Sequence, residues 1–471
     1  MSLKRTLLAI AVVMVLFLPV GRLLRDANPL TCFAFTNDEN FFAQAASQWS
    51  EGHGYRMAEG ALFDPLITVG VPMAWGASAI HGWTGEDIAH SGRDFAYLCF
   101  VLLLVVLART AYRNDRNWLA IPVTLGLFGF GLSKISYGSY FVFGFFGEMP
   151  GLLLAALAYR AVDDRRYVRA GLLAVGVFIF KPTFVLFLPA LAVAALLHSP
   201  RAAWRSGSAI AVGLGAYLYA VAQARGESLF QYLAVFFRTS SMIARAAPRG
   251  SPLDLYAGLD IPALFSIAFL LFGAFSVYRS RKVAPSSTAA FLLFAGAGLS
   301  FFFLGQRPVE KQWSALFTLA LVGFVVPWGS AIAARVSGWV PDSSTRTIII
   351  AVAFTAVFSE AHEVYHHAKN TPITACPAKE ESAINALIRA GADRGEVTRE
   401  NFGAWIETVP YSYSIYRLPW PVAYPATGRV QAANPPRWLY GETKNLLPMP
   451  KGCVPEFHGE TFALLRCEKR Q

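Results

Sequence analysis

The sequence predicts an α-helical polytopic membrane protein with a small α/β domain at its carboxy-terminal end, and three observations predict it. Apolar residues make up 55% of the 471-residue chain and charged residues only 15%, with a mean hydropathy of +0.42. That is more apolar surface than a water-soluble fold can hide. About eleven apolar runs each approach the length that a bilayer core of roughly 30 Å demands. The 41 basic residues outnumber the 30 acidic ones, and most of them fall in short links between the runs. This is the positive-inside pattern of a multi-pass protein, not the patch of a nucleic-acid binder, and no nucleic-acid partner is expected.

The first run, 7–24, follows Lys4 and Arg5 and lacks an Ala-x-Ala cleavage site, so it reads as a retained anchor. Further runs cover 95–111, 118–135, 141–161, 209–222, 261–278, 289–304, 314–334 and 347–360. Between 170 and 198 the apolar sequence is interrupted by Lys181-Pro182. Proline has no amide donor and disfavours helical geometry at the residue before it, so two short spans are expected, 170–180 and 183–198.

With the amino terminus in the cytoplasm, Arg113/Arg116, Arg165/Arg166/Arg169, Arg201/Arg205, Arg279/Arg281/Lys282 and Arg335/Arg346 all fall on the cytoplasmic side. The loops at 26–93, 136–141, 226–260 and 305–313 then face outward, together with Lys181 and the tail. The expected division is a membrane domain over 1–368 and a soluble domain over 369–471. Within the tail, 382–392 reads as an amphipathic helix, and 411–417 and 461–465 read as strands.

Cys376, Cys453 and Cys467 lie in the tail and Cys32 near the outer face, where disulfides are permitted. One bridge is expected within the tail. Its pairing is open, three cysteines allowing three pairings and Cys32 adding more. Cys99 falls inside a predicted span and reads as inert packing.

Chemistry concentrates after the first run. Asp38-Glu39 in TNDENFFAQAASQW, the segment FDPLITVGVP around Asp64, Gly147-Glu148-Met149-Pro150 and Lys181-Pro182 together resemble the bacterial GT-C glycosyltransferases that use polyprenyl-phosphate sugars. That group includes the aminoarabinose and protein-mannosyl transferases. The resemblance covers the topology of most of the membrane part. It implies a GT-C-like fold in a bacterial inner membrane and a polyprenyl-phosphate-linked sugar donor. The implied acceptor is an envelope glycolipid, polysaccharide or protein, met on the periplasmic side. It also implies an acidic residue early in the first outer loop at the transfer site, a position matched by Asp38 or Glu39.

Independent chemistry supports these candidates. An acceptor hydroxyl needs a base as it attacks the anomeric carbon, and a carboxylate in a half-dry site suits the task. The plainer account is that Asp38 caps a helix over 39–49, a role open equally to Asn37. Asp64 precedes a proline and is either a turn carboxylate or, with His53, a group that orients the acceptor or binds a metal. A divalent cation is thus the one cofactor left open. Glu148, within FGFFGEMPG, would be costly at membrane depth unless it faces a polar cavity or pairs with Lys134 or Lys181.

Lys181 in FIFKPTF, Arg307 and Lys311 in GQRPVEKQW, and Arg238 and Arg245 in FRTSSMIARAAPRG are cations suited to a phosphate leaving group. Taken singly, each is equally a headgroup contact. One base with a cationic clamp suffices for inverting displacement, whereas retention needs a second carboxylate at roughly 5 Å.

Two rival readings come from other classes. His362-Glu363-Val364-Tyr365-His366 fits the H-E-x-x-H zinc pattern of a metalloprotease, with His362 and His366 as metal ligands. Buried charges in a polytopic protein also suit a transporter or lipid flippase.

Overall fold

The computed structural model describes residues 37–50, 52, 70–85, 87–133, 141–142, 144–246, 261–279, 284–304, 310–339, 377–398, 401–405, 437–446 and 448–468. The expected first and last spans, 7–24 and 347–360, lie outside these residues, as do Cys32, Cys376 and the strand expected at 411–417.

Helices α1 (Asn37–Ser50) and α2 (Val71–Thr84) fall within what the sequence suggested as a single outer loop. Asp38 and Asn37 are therefore in the first turn of α1 and not ahead of it, which corrects the expectation that either caps a helix starting at Glu39. α2 opens with a proline in its first turn, where a missing N–H costs nothing, and ends on Gly85 in the left-handed conformation (φ 70°). α3 (Ile88–Asp115) starts at Asp87, whose carboxylate accepts the Ala89 N–H at 2.9 Å. It begins seven residues before the expected run, because polar residues such as His90 and Arg93 occupy its first turns.

α4 (Ala120–Ser133) follows. α5 (Glu148–Asp163) starts later than the apolar run at 141 suggested. The Lys181-Pro182 interruption separates α6 (Tyr167–Phe180) from a 3₁₀ turn (Pro182–Leu186) that runs into α7 (Phe187–His198). Lys181 itself is extended, at φ −143° and ψ 96°, the geometry a following proline imposes. In α8 (Pro200–Ala224) the Ser199 side chain accepts the Ala202 N–H at 3.1 Å.

α9 (Leu229–Ala246) occupies a stretch expected as loop. α10 (Ile261–Arg279), α11 (Pro285–Leu304) and α12 (Glu310–Trp339) complete the helical part, with α12 reaching back into the expected outer loop at 305–313.

By length and composition three of these helices are able to cross a bilayer, over Ile88–Asn114, Pro200–Ala224 and Ser314–Arg335, beside several shorter apolar ones. α12 is almost wholly buried and forms the centre of the bundle, packing against α3, α4, α5, α10 and α11. α8 is its opposite, with few of its residues buried. Leu197, Trp204, Val212, Phe272 and Phe275 stand more than half exposed on the outer surface. So much bare aromatic and aliphatic surface would drive association in water and is the expected face toward lipid. The chain is a multi-pass α-helical membrane protein.

The two ends of the bundle differ in chemistry. At one end the links expected on the cytoplasmic side meet. Arg113 Nη1 lies 3.1 Å from Asp164 Oδ2, Asp163 accepts the Ser286 N–H at 2.9 Å, and Asn117 donates to the Ala333 carbonyl at 3.4 Å. Lys181 and Glu148 are at the opposite end of the helices that carry these links. α5 alone, at about 1.5 Å per residue, separates the two ends by roughly 24 Å.

The carboxy-terminal part contains α13 (Pro377–Asp393), longer than the expected 382–392, and strands β1 (Phe402–Trp405), β2 (Trp438–Glu442), β3 (Cys453–His458) and β4 (Phe462–Cys467). They form one sheet in the order β1-β2-β4-β3, with β1 parallel to β2 and the other pairs antiparallel. Ile384 and Ile388 of α13 pack with Trp438, Tyr440, Phe462 and Leu464 of the sheet. Cys453 and Cys467 face each other in the β3–β4 register and form a disulfide, which selects one of the pairings the spacing left open. Cys99 is a buried free thiol in α3.

Candidate active site

α1, α2 and the start of α3 bury an apolar cluster of their own, including Phe42, Met73 and Ile88, with Phe145 and Phe146 from the turn before α5. Two ion pairs are set against it, the first buried on both sides and the second with Glu148 buried and Lys181 half-buried. In the first turn of α1, Glu39 is 1% exposed and Arg93 of α3 is 3% exposed. Arg93 Nε donates to Glu39 Oε1 at 2.8 Å and Nη2 to Oε2 at 3.0 Å, a two-bond fork that both aligns and strengthens the pair. Glu39 Oε1 also accepts the backbone N–H of Phe145 at 2.9 Å. Gly92, beside Arg93, makes room for this: a Cβ there would run into the Phe145 ring.

The second pair is three residues along. Glu148, 0% exposed, is the first residue of α5, where unpaired amides and the helix dipole favour a carboxylate. Lys181 Nζ lies 2.7 Å from its Oε1. The approach is off the hydrogen-bonding direction, and neither carboxylate oxygen accepts a directed hydrogen bond among the described residues. The contact is therefore one of charge. Backbones meet closely beneath it, since a Cβ on Gly147 would overlap the Phe180 carbonyl oxygen. Only a residue without a side chain lets the start of α5 come this near the end of α6.

Three Cα steps of about 3.8 Å place the Phe145 and Glu148 α-carbons within roughly 11 Å. The turn 144–147 thus joins the Glu39–Arg93 pair to the Glu148–Lys181 pair in one neighbourhood.

No protein-family model matches the sequence, and no curated protein does. Among solved structures, the chain is similar to ArnT from Cupriavidus metallidurans, crystallised bound to undecaprenyl phosphate. Identity is 13%, the match covers 96% of this chain and 97% of that one, and the TM-score is 0.54. The chain shares the fold of that structure.

Within this fold, the sequence-derived candidates divide. Lys181 pairs with Glu148, while Glu39 pairs with Arg93 and is linked to them through the turn 144–147. Asp38 directly precedes Glu39 in α1. Arg238 is exposed on α9, Arg245 lies in the last turn of α9, and Lys311 is in the first turn of α12. His53, Asp64, Arg307, His362 and His366 lie outside the described residues, as does Lys134. Among the described residues, no group of three His, Cys, Asp or Glu side chains is placed to hold a metal ion.

Arg93 was not singled out from sequence, where it marked only the end of a loop. Its signal was present: a cation one helical turn ahead of a long apolar run, with a glycine beside it, is costly to bury without a partner.

Proposed function

We propose that the protein is a membrane glycosyltransferase that moves a sugar from a polyprenyl-phosphate donor to an acceptor of the cell envelope, outside the cytoplasm. The observation that carries this reading is the pair of buried Glu148 with half-buried Lys181 at the end of the bundle away from the basic links. Its context supports it: the fold is similar to that of ArnT, a protein crystallised with undecaprenyl phosphate. A lysine held by charge alone has donors to offer an incoming phosphate, and a carboxylate with undirected oxygens can turn to a substrate hydroxyl.

The reaction that suits these groups is a single displacement with inversion. The acceptor oxygen bonds to the anomeric carbon as its bond to the phosphate oxygen breaks. The proton of the acceptor passes to a carboxylate, for which Asp38 is the proposed base and Glu148 its neighbour. The leaving phosphate needs little protonation, and Lys181, Arg307, Lys311, Arg238 and Arg245 are the proposed cations for its charge. Asp64 and His53 are proposed to orient the acceptor or to hold a divalent cation. In this scheme 1–368 is the catalytic domain in the inner membrane, and 369–471 is a periplasmic domain that orients the acceptor.

The test is release of polyprenyl phosphate from a polyprenyl-phosphate sugar by purified protein with envelope acceptors. Asp38→Asn should lower turnover by roughly 10²–10⁴-fold, the range for loss of a general base, while undecaprenyl phosphate still binds. Unchanged turnover removes Asp38 from the mechanism. Lys181→Ala should weaken binding of undecaprenyl phosphate more than binding of acceptor. Protein that neither binds the lipid phosphate nor releases it overturns the proposal.

A further inference from the structure

Among the described contacts, the Glu39 carboxylate takes both the fork of Arg93 and the Phe145 amide. The second of these contacts ties α1 to a turn 106 residues away in sequence. The turn so held is short. It runs from Phe145 to Gly147, lies against Gly92 on one side and the Phe180 carbonyl on the other, and ends at Glu148. Both glycines sit where a Cβ would push the turn off its neighbours. Its position is thus set from α1 and α3 on one side and from the end of α6 on the other.

We infer that Arg93 is a positioning residue for the transfer site. By fixing the Glu39 carboxylate it holds the Phe145 amide, and through that turn it sets Glu148 against Lys181. Arg93 meets no substrate in this scheme. The consequence for the lipid phosphate rests on the function proposed above, whereas the hold on the turn does not.

Two double variants separate positioning from simple charge pairing. Glu39→Gln with Arg93→Gln removes both charges but keeps a carbonyl oxygen at position 39 that accepts the Phe145 N–H. Glu39→Arg with Arg93→Glu rebuilds the ion pair in reverse and leaves no acceptor at 39, because a guanidinium only donates. Should the reversed pair fail to fold, Glu39→Leu with Arg93→Met serves instead, being apolar, of similar bulk and without an acceptor. Each purified full-length protein is measured for melting temperature, hydrogen–deuterium exchange over 141–150, and binding of undecaprenyl phosphate.

The expected result is that the amide pair exchanges as slowly as the parent over 141–150 and binds less than threefold more weakly. The reversed or apolar pair, at a comparable melting temperature, should exchange at least tenfold faster there and bind at least tenfold more weakly. Equal behaviour of the two designs, or a reversed pair that restores both readouts, overturns the inference. A parent protein that binds no undecaprenyl phosphate defeats the proposed function instead, and the exchange measurement still decides whether Arg93 and Glu39 hold the turn.

Discussion

Lys181 Nζ stands 2.7 Å from Glu148 Oε1, joining the residue that follows α6 to the residue that begins α5. Breaking a buried pair by removing one partner leaves the other charge uncompensated, at about 3–5 kcal/mol. Lys181→Met alone should therefore lower the melting temperature in detergent clearly. Adding Glu148→Leu should recover most of that loss, and binding of undecaprenyl phosphate should stay weak in both. If the double variant regained binding along with stability, the pair would be structural only.

Gly147 is where the proposal is most exposed to a single methyl group. Its Cβ would overlap the Phe180 carbonyl oxygen, which is backbone and cannot rotate away. Gly147→Ala is expected to cost about 1–3 kcal/mol, the usual range for overpacking, and to lower sugar transfer by separating Glu148 from Lys181. Gly82→Ala, on α2 with open space around it, is the control and should leave the melting temperature within about 0.5 kcal/mol equivalents of the parent.

The Cys453–Cys467 bridge closes a β3–β4 hairpin with a sequence separation of 14 residues. A loop near that length is stabilised by about 3 kcal/mol on the chain-entropy account. Mass mapping without reductant should recover this pair, and Cys453→Ser with Cys467→Ser should make the sheet open to protease at lower temperature. Recovery of a different pairing would contradict the register of β3 and β4.

Glu380, in the first turn of α13, accepts the N–H groups of Glu460, Thr461 and Phe462 at 3.0, 3.0 and 2.9 Å. Three amides converging on one carboxylate tie the helix to the turn between β3 and β4. Glu380→Ala strands them and should cost about 1–3 kcal/mol. Glu380→Gln, which keeps one acceptor oxygen, should cost less. Hydrogen exchange at 459–462 measures both, and an Ala variant as protected as the parent would show that the turn holds without the carboxylate.

Features set by local rules were legible in the chain. Pro182 broke the helix at Lys181 because its ring forbids helical geometry there, and α6 and α7 part at that point. Arg113, Asp163, Asp164 and Ser286, all in or beside links between spans, meet at one end because alternating spans bring successive links to the same side. Other features were missed for equally physical reasons. α9 falls where the sequence suggests a loop, although Leu229, Phe230, Leu233, Phe236 and Phe237 recur at helical spacing, because polar and basic residues interrupt them. Glu39 carried the same carboxyl group as Asp38 in sequence, and nothing local told which of the two would meet an arginine 54 residues away.

By itself the sequence determined the solvent, the alternation of spans and links, and the short list of candidate acids and cations. These follow from composition and from rules acting over a few residues. Only the tertiary structure decided that Glu39 is held by Arg93, that Glu148 meets Lys181 and no closer-lying partner among the described residues, and that Cys453 pairs with Cys467. Each of those is a contact between distant segments. Its geometry depends on whether two backbones can approach, as Gly92 and Gly147 allow, and such an approach leaves no mark on the residues that neighbour it in the chain.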